Sequence, residues 1–392
     1  MVHQRRPATS SGPLSSPGLA PDTEILEAVG EARREAEAAA PRVSRRGLMK
    51  AGAAVGGAAM LSTLSDDAVA RQLTAAPPKG FIPMSVPGRV VKVGKKGDFA
   101  SFMQPNQLWP QLDPARQMLE RAMMEFTGKP NLVEAMKRFI HKDDIVGIKV
   151  NGIAGQKGYT MAVNFELILP TVEAVMGVGV PPENITVFEQ FPTFLMGTRV
   201  SVKGYDLPEG VKTATHNNLD HKMPEISIYQ GIKTKYCTTL LESTAVIDMT
   251  QIKDHGICGY TGTMKNITHG TVNNPHDHHA HLASPQIAML YNHPIVTSRV
   301  RLHITDGFKV TYDRGPLDRD PRTRIPHGAV YIATDPVAMD RYGWHILDEE
   351  RKSRGLKTLA GVKREPKYIQ TAAELGLGVF DMNQIRVKEV TI

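Results

Sequence analysis

The chain has 392 residues, of which 41% are hydrophobic and 6% aromatic, and it carries 47 Lys and Arg against 40 Asp and Glu. This length suits one large domain or two closely joined ones. The net charge of +7 is spread along the chain, and no nucleic-acid motif or aromatic platform occurs. A nucleic-acid partner is therefore excluded, whereas a small anionic ligand is compatible with the charge.

The N-terminal part of the chain resembles a leader followed by an export signal. Residues 44–50 read Ser-Arg-Arg-Gly-Leu-Met-Lys, and a mild apolar run at 51–64 and a small-x-small pattern at 68–70 follow. This order predicts a twin-arginine signal peptide over residues 44–70, behind a disordered leader at 1–43. It implies the twin-arginine translocation machinery as a partner, and a periplasmic or exported protein that is soluble after cleavage. An uncleaved anchor is the alternative, but the run is shorter than the roughly 20 apolar residues that span a bilayer.

Beyond the signal, residues 71–112 predict an extended segment and residues 113–392 an α/β domain. Asp113 and Pro114 predict the start of the first helix, and Gly128 predicts its end. The predicted strands are residues 89–93, 144–151, 185–189, 245–249, 299–305, 329–333 and 385–390, and the predicted helices are residues 113–128, 131–140, 164–176, 285–291, 336–354 and 365–374. This alternation predicts a mixed or mostly parallel sheet flanked by helices in a layered sandwich.

Polar residues lie where several predicted strands end. These residues are Lys149 and Asn151, Asp248 and Thr250, Asp306 and Gly307, and Asp335 with Asp340 shortly after it. Because open α/β sheets bind ligands beyond the carboxyl ends of their strands, we expect these residues to converge on one crevice. For Asp335, which precedes a proline, a helix N-cap is the alternative.

The segment 254–270 combines several glycines with a lysine. Gly259 and Gly262 allow the backbone to approach a ligand closely. Lys265 and Asn266 begin a predicted short helix, whose backbone N–H groups together with the lysine suit an anion. The ending of a Walker A motif is missing. A flexible loop with a surface lysine is the alternative.

A histidine-rich stretch follows at residues 276–281. Its four histidines are His276, His278, His279 and His281. Neutral imidazoles are good ligands for Zn, Cu, Fe or Ni, so we expect two or three of them to hold a transition metal with a partner such as His255 or His269. A polar loop that is rich in histidine is the alternative.

The two cysteines, Cys237 and Cys258, leave three interpretations open. They could form a disulfide in an oxidising compartment, and Cys258 could instead be a metal ligand or a nucleophile with His255 as its base. No Cys-x-x-Cys motif occurs, so this chain alone does not supply an iron–sulfur cluster.

Four blocks of sequence occur in a fixed order. They are residues 146–151, residues 262–266 with Gly270, residues 304–307 and residues 333–340. These blocks resemble those of the domain-of-unknown-function family 362, over roughly residues 140–350. The resemblance implies a shared α/β core and a site made by Lys265, Asn266, Asp306, Asp335 and Asp340. Many members of that family carry ferredoxin-type cysteine clusters, which implies redox work, whereas this chain lacks them and adds the histidine-rich stretch.

The leading hypothesis is an exported, cofactor- or metal-dependent, redox-linked enzyme that acts on a small polar or anionic ligand. Lys149 and Lys265 would hold the anionic group. Asp306 and Asp340 would serve as acid/base groups or metal ligands, and His255 with the four histidines would bind metal or shuttle protons. A redox partner subunit is compatible with this hypothesis. The alternatives are a non-catalytic metal- or anion-binding protein of the periplasm and a metal-dependent hydrolase.

Overall fold

The computed structural model describes residues 73–155 and 160–392. The predicted leader, residues 1–43, and the predicted twin-arginine signal, residues 44–70, lie outside the described residues. Within the described ranges, no helix is both long enough and apolar enough to cross a bilayer.

The strands of the described part form one large mixed sheet and one small two-stranded sheet. They are β1 (Arg89–Gly94), β2 (Val146–Lys149), β3 (Ile185–Glu189), β4 (Lys212–Thr215), β5 (Ile226–Tyr229), β6 (Ile232–Thr234), β7 (Ala245–His255), β8 (Gly259–Thr261), β9 (Val300–Thr311), β10 (Arg324–Ala333) and β11 (Arg386–Thr391). Strands β5 and β6 make the small sheet.

The helices surround the large sheet. They are α1 (Leu112–Thr127), α2 (Leu132–Met136), α3 (Phe165–Val178), α4 (Pro192–Gly197), α5 (Thr238–Glu242), α6 (Thr263–His269), α7 (Gln286–Asn292), α8 (Pro294–Thr297), α9 (Pro336–Ser353) and α10 (Tyr368–Glu374). Most of the predicted histidine stretch lies in a 3₁₀ segment, Asp277–Ala283.

The strand order of the large sheet is β11-β1-β10-β9-β7-β2-β3-β4, and β8 pairs with the end of β7. Strands β9, β7, β2, β3 and β4 are parallel, whereas β10 is antiparallel to both β9 and β1. The chain leaves β2 for β3 on one side and returns to β7 on the other side, so the strand order reverses at β2. Ligands of open α/β sheets bind at such a switch point.

Helices cover both faces of the sheet. Successive residues of a strand point to opposite sides of the sheet, so neighbouring residues pack into different cores. In β7, Ile247 packs into the core that contains α1, α2 and α3, while Val246 packs into the core that contains α5 to α10. All residues of β7 are buried, as is typical of a parallel strand that is covered on both faces. The predicted layered α/β fold, with a mostly parallel sheet between helices, is confirmed.

The first helix begins two residues earlier than the sequence predicts. Gln111, not Asp113, is its N-cap, so Asp113 and Pro114 occupy the first turn, where proline is tolerated. Its end is as predicted, since Gly128 adopts a left-handed φ of 71° at the C-cap. The second helix is shorter than predicted and covers Leu132–Met136.

Three central strands are longer than the sequence predicts. Strand β7 continues to His255 and β9 continues to Thr311, while β10 begins at Arg324. Asp248 and Asp306 therefore lie inside strands rather than at strand ends. Strand β1 belongs to the predicted N-terminal segment, residues 71–112, and pairs with β10 and β11 in the large sheet.

Candidate functional site

A cavity lies beyond the carboxyl ends of β2 and β7, at the switch point of the sheet. It has a volume of about 650 Å³, counting the part that is open to solvent. We call it the central cavity. Its described lining residues are Lys149, Asn151, Ile153, Glu189, Gln190, Phe194, His255, Thr261, Lys265, Asn266, His269, Gly270, Pro275, His276, His279 and Pro316.

Asn266, on α6, joins β2 to β7 beneath the cavity. Its Nδ2 donates to Asp248 Oδ1 at 2.7 Å and to the Met249 carbonyl at 3.1 Å. Its Oδ1 accepts from Lys149 Nζ and from Asn151 Nδ2, each at 3.1 Å. An amide offers two donors and two acceptor positions, so these partners satisfy the Asn266 side chain. Asn266 therefore positions its neighbours, although the sequence placed it among the ligand-binding residues.

Lys149, at the end of β2, is fully buried and fully paired. Its Nζ donates to the Val150 carbonyl at 2.6 Å, to Asn266 Oδ1 at 3.1 Å and to Glu189 Oε1 at 3.2 Å. An ammonium has three donors, and each has a partner here. Lys149 therefore contributes charge that Glu189 balances, with no free N–H group for a ligand.

Lys265 differs from Lys149 in its partners. Its Nζ lies 3.2 Å from His279 Nε2, and within the described residues no carboxylate forms an ion pair with it. Two of its three N–H positions therefore remain for a ligand. Lys265 is 8% exposed, and burial lowers the pKa of its ammonium because it disfavours the charged form.

Three imidazoles of the cavity wall, those of His255, His269 and His279, favour the neutral form. Burial lowers the pKa values of His255, His269 and His279 well below 6.5, and the nearby Lys265 ammonium lowers them further. In His279, Nδ1 lies 2.8 Å from the Pro275 carbonyl, which can only accept, so Nδ1 carries the hydrogen. Its Nε2 is consequently the lone pair that accepts from Lys265.

Two buried polar groups of the wall lack partners among the described residues: His255 Nε2 and Thr261 Oγ1. His255 is 1% exposed and Thr261 is 4% exposed. Nδ1 of His255 accepts from the backbone N–H of Ile257 at 3.1 Å and of Cys258 at 3.3 Å, so Nε2 carries the hydrogen. Buried polar groups are seldom left unpaired in folded proteins. His255 and Thr261, which line the central cavity together with Lys265, thus each hold a buried polar atom without a partner among the described residues.

The family model described as "Domain of unknown function (DUF362)" matches residues 146–345, which is about half of the chain. The chain belongs to the DUF362 family. The matched region includes β2, β7 and α6, and therefore the lysines and most of the wall of the central cavity. The comparison with curated proteins gives no match for this chain.

Asp340 of the DUF362 domain does not line the central cavity. Its Oδ1 accepts from the backbone N–H of Thr263 at 2.6 Å and from Thr263 Oγ1 at 2.7 Å, and its Oδ2 accepts from the N–H of Met264 at 3.1 Å. Burial raises the pKa of this carboxyl to about 7. The start of α6, predicted as an anion site, is thus occupied by the protein's own carboxylate. A Cβ at Gly262 would collide with that carboxylate.

The other predicted acidic residues also lie outside the lining of the cavity. Asp306 accepts from the backbone N–H and the side chain of Asn164, both at 2.7 Å, and burial raises its pKa. Asp335 caps α9 through Ala338 N at 2.8 Å, which is the capping alternative. Strand β10 is antiparallel to β9. Its carboxyl end, which Asp335 follows, therefore lies at the opposite end of the strands from the central cavity.

The two predicted ligand-binding glycines serve different purposes. Gly262 makes room for Asp340, as described above. Gly259 has a φ of 77°, and a Cβ there would overlap the carbonyl of Arg364. Gly259 therefore allows the tight turn between β7 and β8 to pack against the chain near α10.

The four predicted metal ligands of the DUF362 domain do not meet at one point. His276 and His279 line the central cavity, whereas His278 Nε2 pairs with Thr234 Oγ1 at 2.7 Å and His281 is exposed. Both ring nitrogens of His279 have protein partners. Within the described residues, no group of three or more His, Cys, Asp or Glu side chains is arranged to hold a metal ion. Metal binding by this stretch stays a prediction from the sequence.

Cys237 and Cys258 are separate, buried free thiols. Burial raises the pKa of Cys237 to about 12 and that of Cys258 to about 11. Cys258 Sγ donates to the Tyr260 carbonyl at 3.3 Å. Thiols in this state are poor nucleophiles, and the pair is not a disulfide in this structure.

Sequence reasoning missed several residues of the central cavity, among them Glu189, Phe194 and Thr261. Glu189 ends β3, which the sequence predicted as a buried strand, so the rule that ligands bind at strand ends could have found it. Thr261 lies inside the glycine-rich segment and pairs with Lys253 across β7 and β8. No spacing signal marked that short strand.

Proposed function

We propose that this DUF362 protein binds a small anionic molecule in the central cavity, with Lys265 as its counter-ion and His255 and Thr261 as hydrogen-bond donors. The observation that carries the proposal is the state of Lys265. It is a buried ammonium with two N–H positions without protein acceptors and with no ion pair to a carboxylate in the described part of the chain.

The electrostatics of the cavity support an anion over a neutral ligand. Burying a charge is costly unless an opposite charge or several hydrogen bonds compensate it. Glu189 is the one carboxylate among the described lining residues, and it pairs with Lys149. A bound carboxylate or similar oxyanion would compensate Lys265 and accept from the two unpaired donors.

The lone pair of His279 favours catalysis over simple binding of an anion. A neutral imidazole acceptor lies 3.2 Å from the ammonium that meets the ligand. The negative charge of a bound anion favours protonation of this imidazole, whose pKa burial and Lys265 otherwise hold well below 6.5. The pair can then pass a proton between Lys265 and the bound molecule, which is general acid–base chemistry. A non-catalytic binding protein would bind the same anions without turning over any of them. The metal-dependent and redox-linked chemistry that the sequence suggests stays a prediction.

A calorimetric titration tests the proposal. Three proteins are each titrated with sulfate, oxalate and glyoxylate: the wild-type full chain, Lys265→Met and Lys142→Met. Lys142 is exposed and lies outside the central cavity, so its variant is the control. We expect at least one anion to bind, with an affinity about 10- to 100-fold lower for Lys265→Met, because a hydrogen bond to a charged group contributes about 1.5–3 kcal/mol. Equal affinities in all three proteins would contradict the proposal.

Export through the twin-arginine route is the second part of the proposed function. It is supported by Arg45 and Arg46, the apolar run that follows them and the small residues of the predicted cleavage site. We expect the chain to reach the exported fraction in a shortened form, and the double variant Arg45→Lys/Arg46→Lys to remain unprocessed inside the cell. Identical fractionation of the two forms would overturn it.

A further inference from the structure

We propose that Lys265 forms a Schiff base with a small anion that carries an aldehyde or ketone next to its carboxylate, that is, a 2-oxo acid. This inference rests on the proposed function, since it assigns a substrate class to the same cavity.

Of the two lysines among the described lining residues, Lys265 is the one whose partners suit a nucleophile. A lysine attacks a carbonyl through the lone pair of its neutral amine, so the amine must be free to lose a proton and to turn toward the ligand. Lys149 meets neither condition, because all three of its N–H groups are held by protein acceptors, one of them the Glu189 carboxylate. Lys265 meets both, since its one partner among the described residues is the lone pair of His279.

His279 is arranged to take the proton that the ammonium must lose. Its Nδ1–H is held by the Pro275 carbonyl at 2.8 Å, which fixes the ring with Nε2 toward Lys265. The ring also stacks on His255, with 5.6 Å between the ring centroids and 16° between the planes. The proton acceptor is therefore held in place before a ligand arrives.

The unpaired donors of the wall suit the oxygen of a reacting carbonyl. As the amine attacks, the carbonyl oxygen gains negative charge, and preorganised donors stabilise that charge. His255 Nε2–H and the Thr261 hydroxyl are buried, line the same cavity as Lys265 and lack partners among the described residues. An anion without a carbonyl group would offer Lys265 no carbon to attack.

Formation of the Schiff base on Lys265 needs no added oxidant or reductant. The Lys265 ammonium gives one proton to His279 Nε2, and the amine nitrogen forms a bond to the carbonyl carbon while the C=O π electrons move to oxygen. A second nitrogen proton passes to that oxygen, which gives a carbinolamine. The hydroxyl then leaves as water with the proton from His279, and a C=N bond forms. Ammonium and carbonyl thus become a protonated imine and water, and the positive charge stays beside the carboxylate of the ligand.

Reductive trapping tests this inference. The full chain is incubated with glyoxylate and sodium cyanoborohydride, and the modified lysines are mapped by peptide mass spectrometry. We expect a carboxymethyl group on Lys265, with labelling that saturates as glyoxylate rises and is lost when oxalate competes. Labelling of the exposed Lys142 should rise linearly and should ignore oxalate. Labelling of Lys265 that neither saturates nor responds to oxalate would overturn the inference.

Two controls separate this inference from the proposed function. Lys265→Arg keeps the charge and removes the nucleophile, so it should bind oxalate and lose trapping at position 265. If the wild-type chain binds oxalate and glyoxylate by calorimetry but Lys265 is not trapped, the Schiff base is wrong and the anion site stands. If neither anion binds, both proposals fail. Protection by oxalate is measured on the wild-type chain, so the test does not depend on the folding of a variant.

Discussion

Lys265 donates to the lone pair of His279 across 3.2 Å, and this contact is the one hydrogen bond that the described residues give to the Lys265 ammonium. The contact sets the electrostatics of the central cavity, because the neutral ring orients the ammonium without neutralising its charge. The charge of Lys149, by contrast, is balanced by Glu189, whose Oε1 lies 3.2 Å from Lys149 Nζ. Among the described lining residues, the central cavity therefore holds one compensated and one uncompensated lysine.

The first prediction concerns the pH dependence of anion binding. Burial lowers the pKa of Lys265 from 10.5, so its positive charge is complete at low pH and is lost as pH rises through that lowered value. Sulfate affinity, measured by calorimetry from pH 6 to pH 10.5, should fall in the wild-type chain before the ordinary lysine pKa of 10.5 is reached. Lys265→Arg should remove the fall, because arginine keeps its charge. Sulfate affinity that is constant up to pH 10.5 in the wild-type chain would refute this assignment.

The second prediction concerns Asp248, which fixes the orientation of the Asn266 amide. Asp248 accepts from Asn266 at 2.7 Å and from His303 Nδ1 at 3.0 Å. In Asp248→Asn one of these donors faces an N–H group, and the free energy of unfolding in urea should fall by about 1–3 kcal/mol. Anion affinity should fall with it, because Asn266 holds Lys149. Asp143→Asn, at an exposed carboxyl, is the matched control, and equal stabilities of the two variants would argue against the network.

The third prediction concerns Gly270, which ends α6 at the cavity wall. A Cβ there would lie 2.8 Å from Lys149 Nζ, so Gly270→Ala must displace the lysine or the helix end. We expect a loss of about 1–3 kcal/mol in unfolding free energy, typical of an overpacked core, together with weaker anion binding. Gly94→Ala is the control, since the nearest atom to its Cβ would be 3.7 Å away. A Gly270→Ala chain as stable as Gly94→Ala would show that this approach is not tight.

The fourth prediction concerns acid stability. Burial lowers the pKa of His216 from 6.5 to about 3, so the unfolded chain takes up a proton there that the folded chain refuses. The stability that this histidine contributes is complete above pH 6.5 and is lost as pH falls toward about 3. The loss is up to about 1.4 kcal/mol for each pH unit. Urea denaturation at several pH values should show a smaller slope for His216→Gln than for the wild-type chain, by up to about 1.4 kcal/mol for each pH unit. The other buried histidines keep their own share of the slope, and the exposed His345→Gln should leave it unchanged.

Sequence patterns predicted the elements of this fold better than their directions. The apolar run of β2 and the polar residues after it correctly predicted that Lys149 and Asn151 lie at a strand end in a crevice. The same rule misplaced Asp335, because β10 is antiparallel and local hydrophobicity does not encode strand direction. It also misplaced Asp306, since β9 continues through it to Thr311.

The partners of the polar residues were even less accessible from the sequence. Lys149 and Lys265 look alike in the sequence, and the difference between them depends on Glu189 and His279, which lie 40 and 14 residues away along the chain. Asp340 lies 77 residues from the helix start that it caps. Pairings over such distances are fixed by the topology of the sheet, and a sequence without its fold does not specify them.

The most direct test of the central claim is anomalous diffraction from crystals of this chain grown with selenate, a heavy analogue of sulfate. We expect a selenium peak inside the central cavity, placed so that the selenate oxygens lie within hydrogen-bond distance of Lys265 Nζ and of His255 Nε2 or Thr261 Oγ1. Selenate sites on the protein surface alone, with no peak beside Lys265, would contradict an anion site in this cavity.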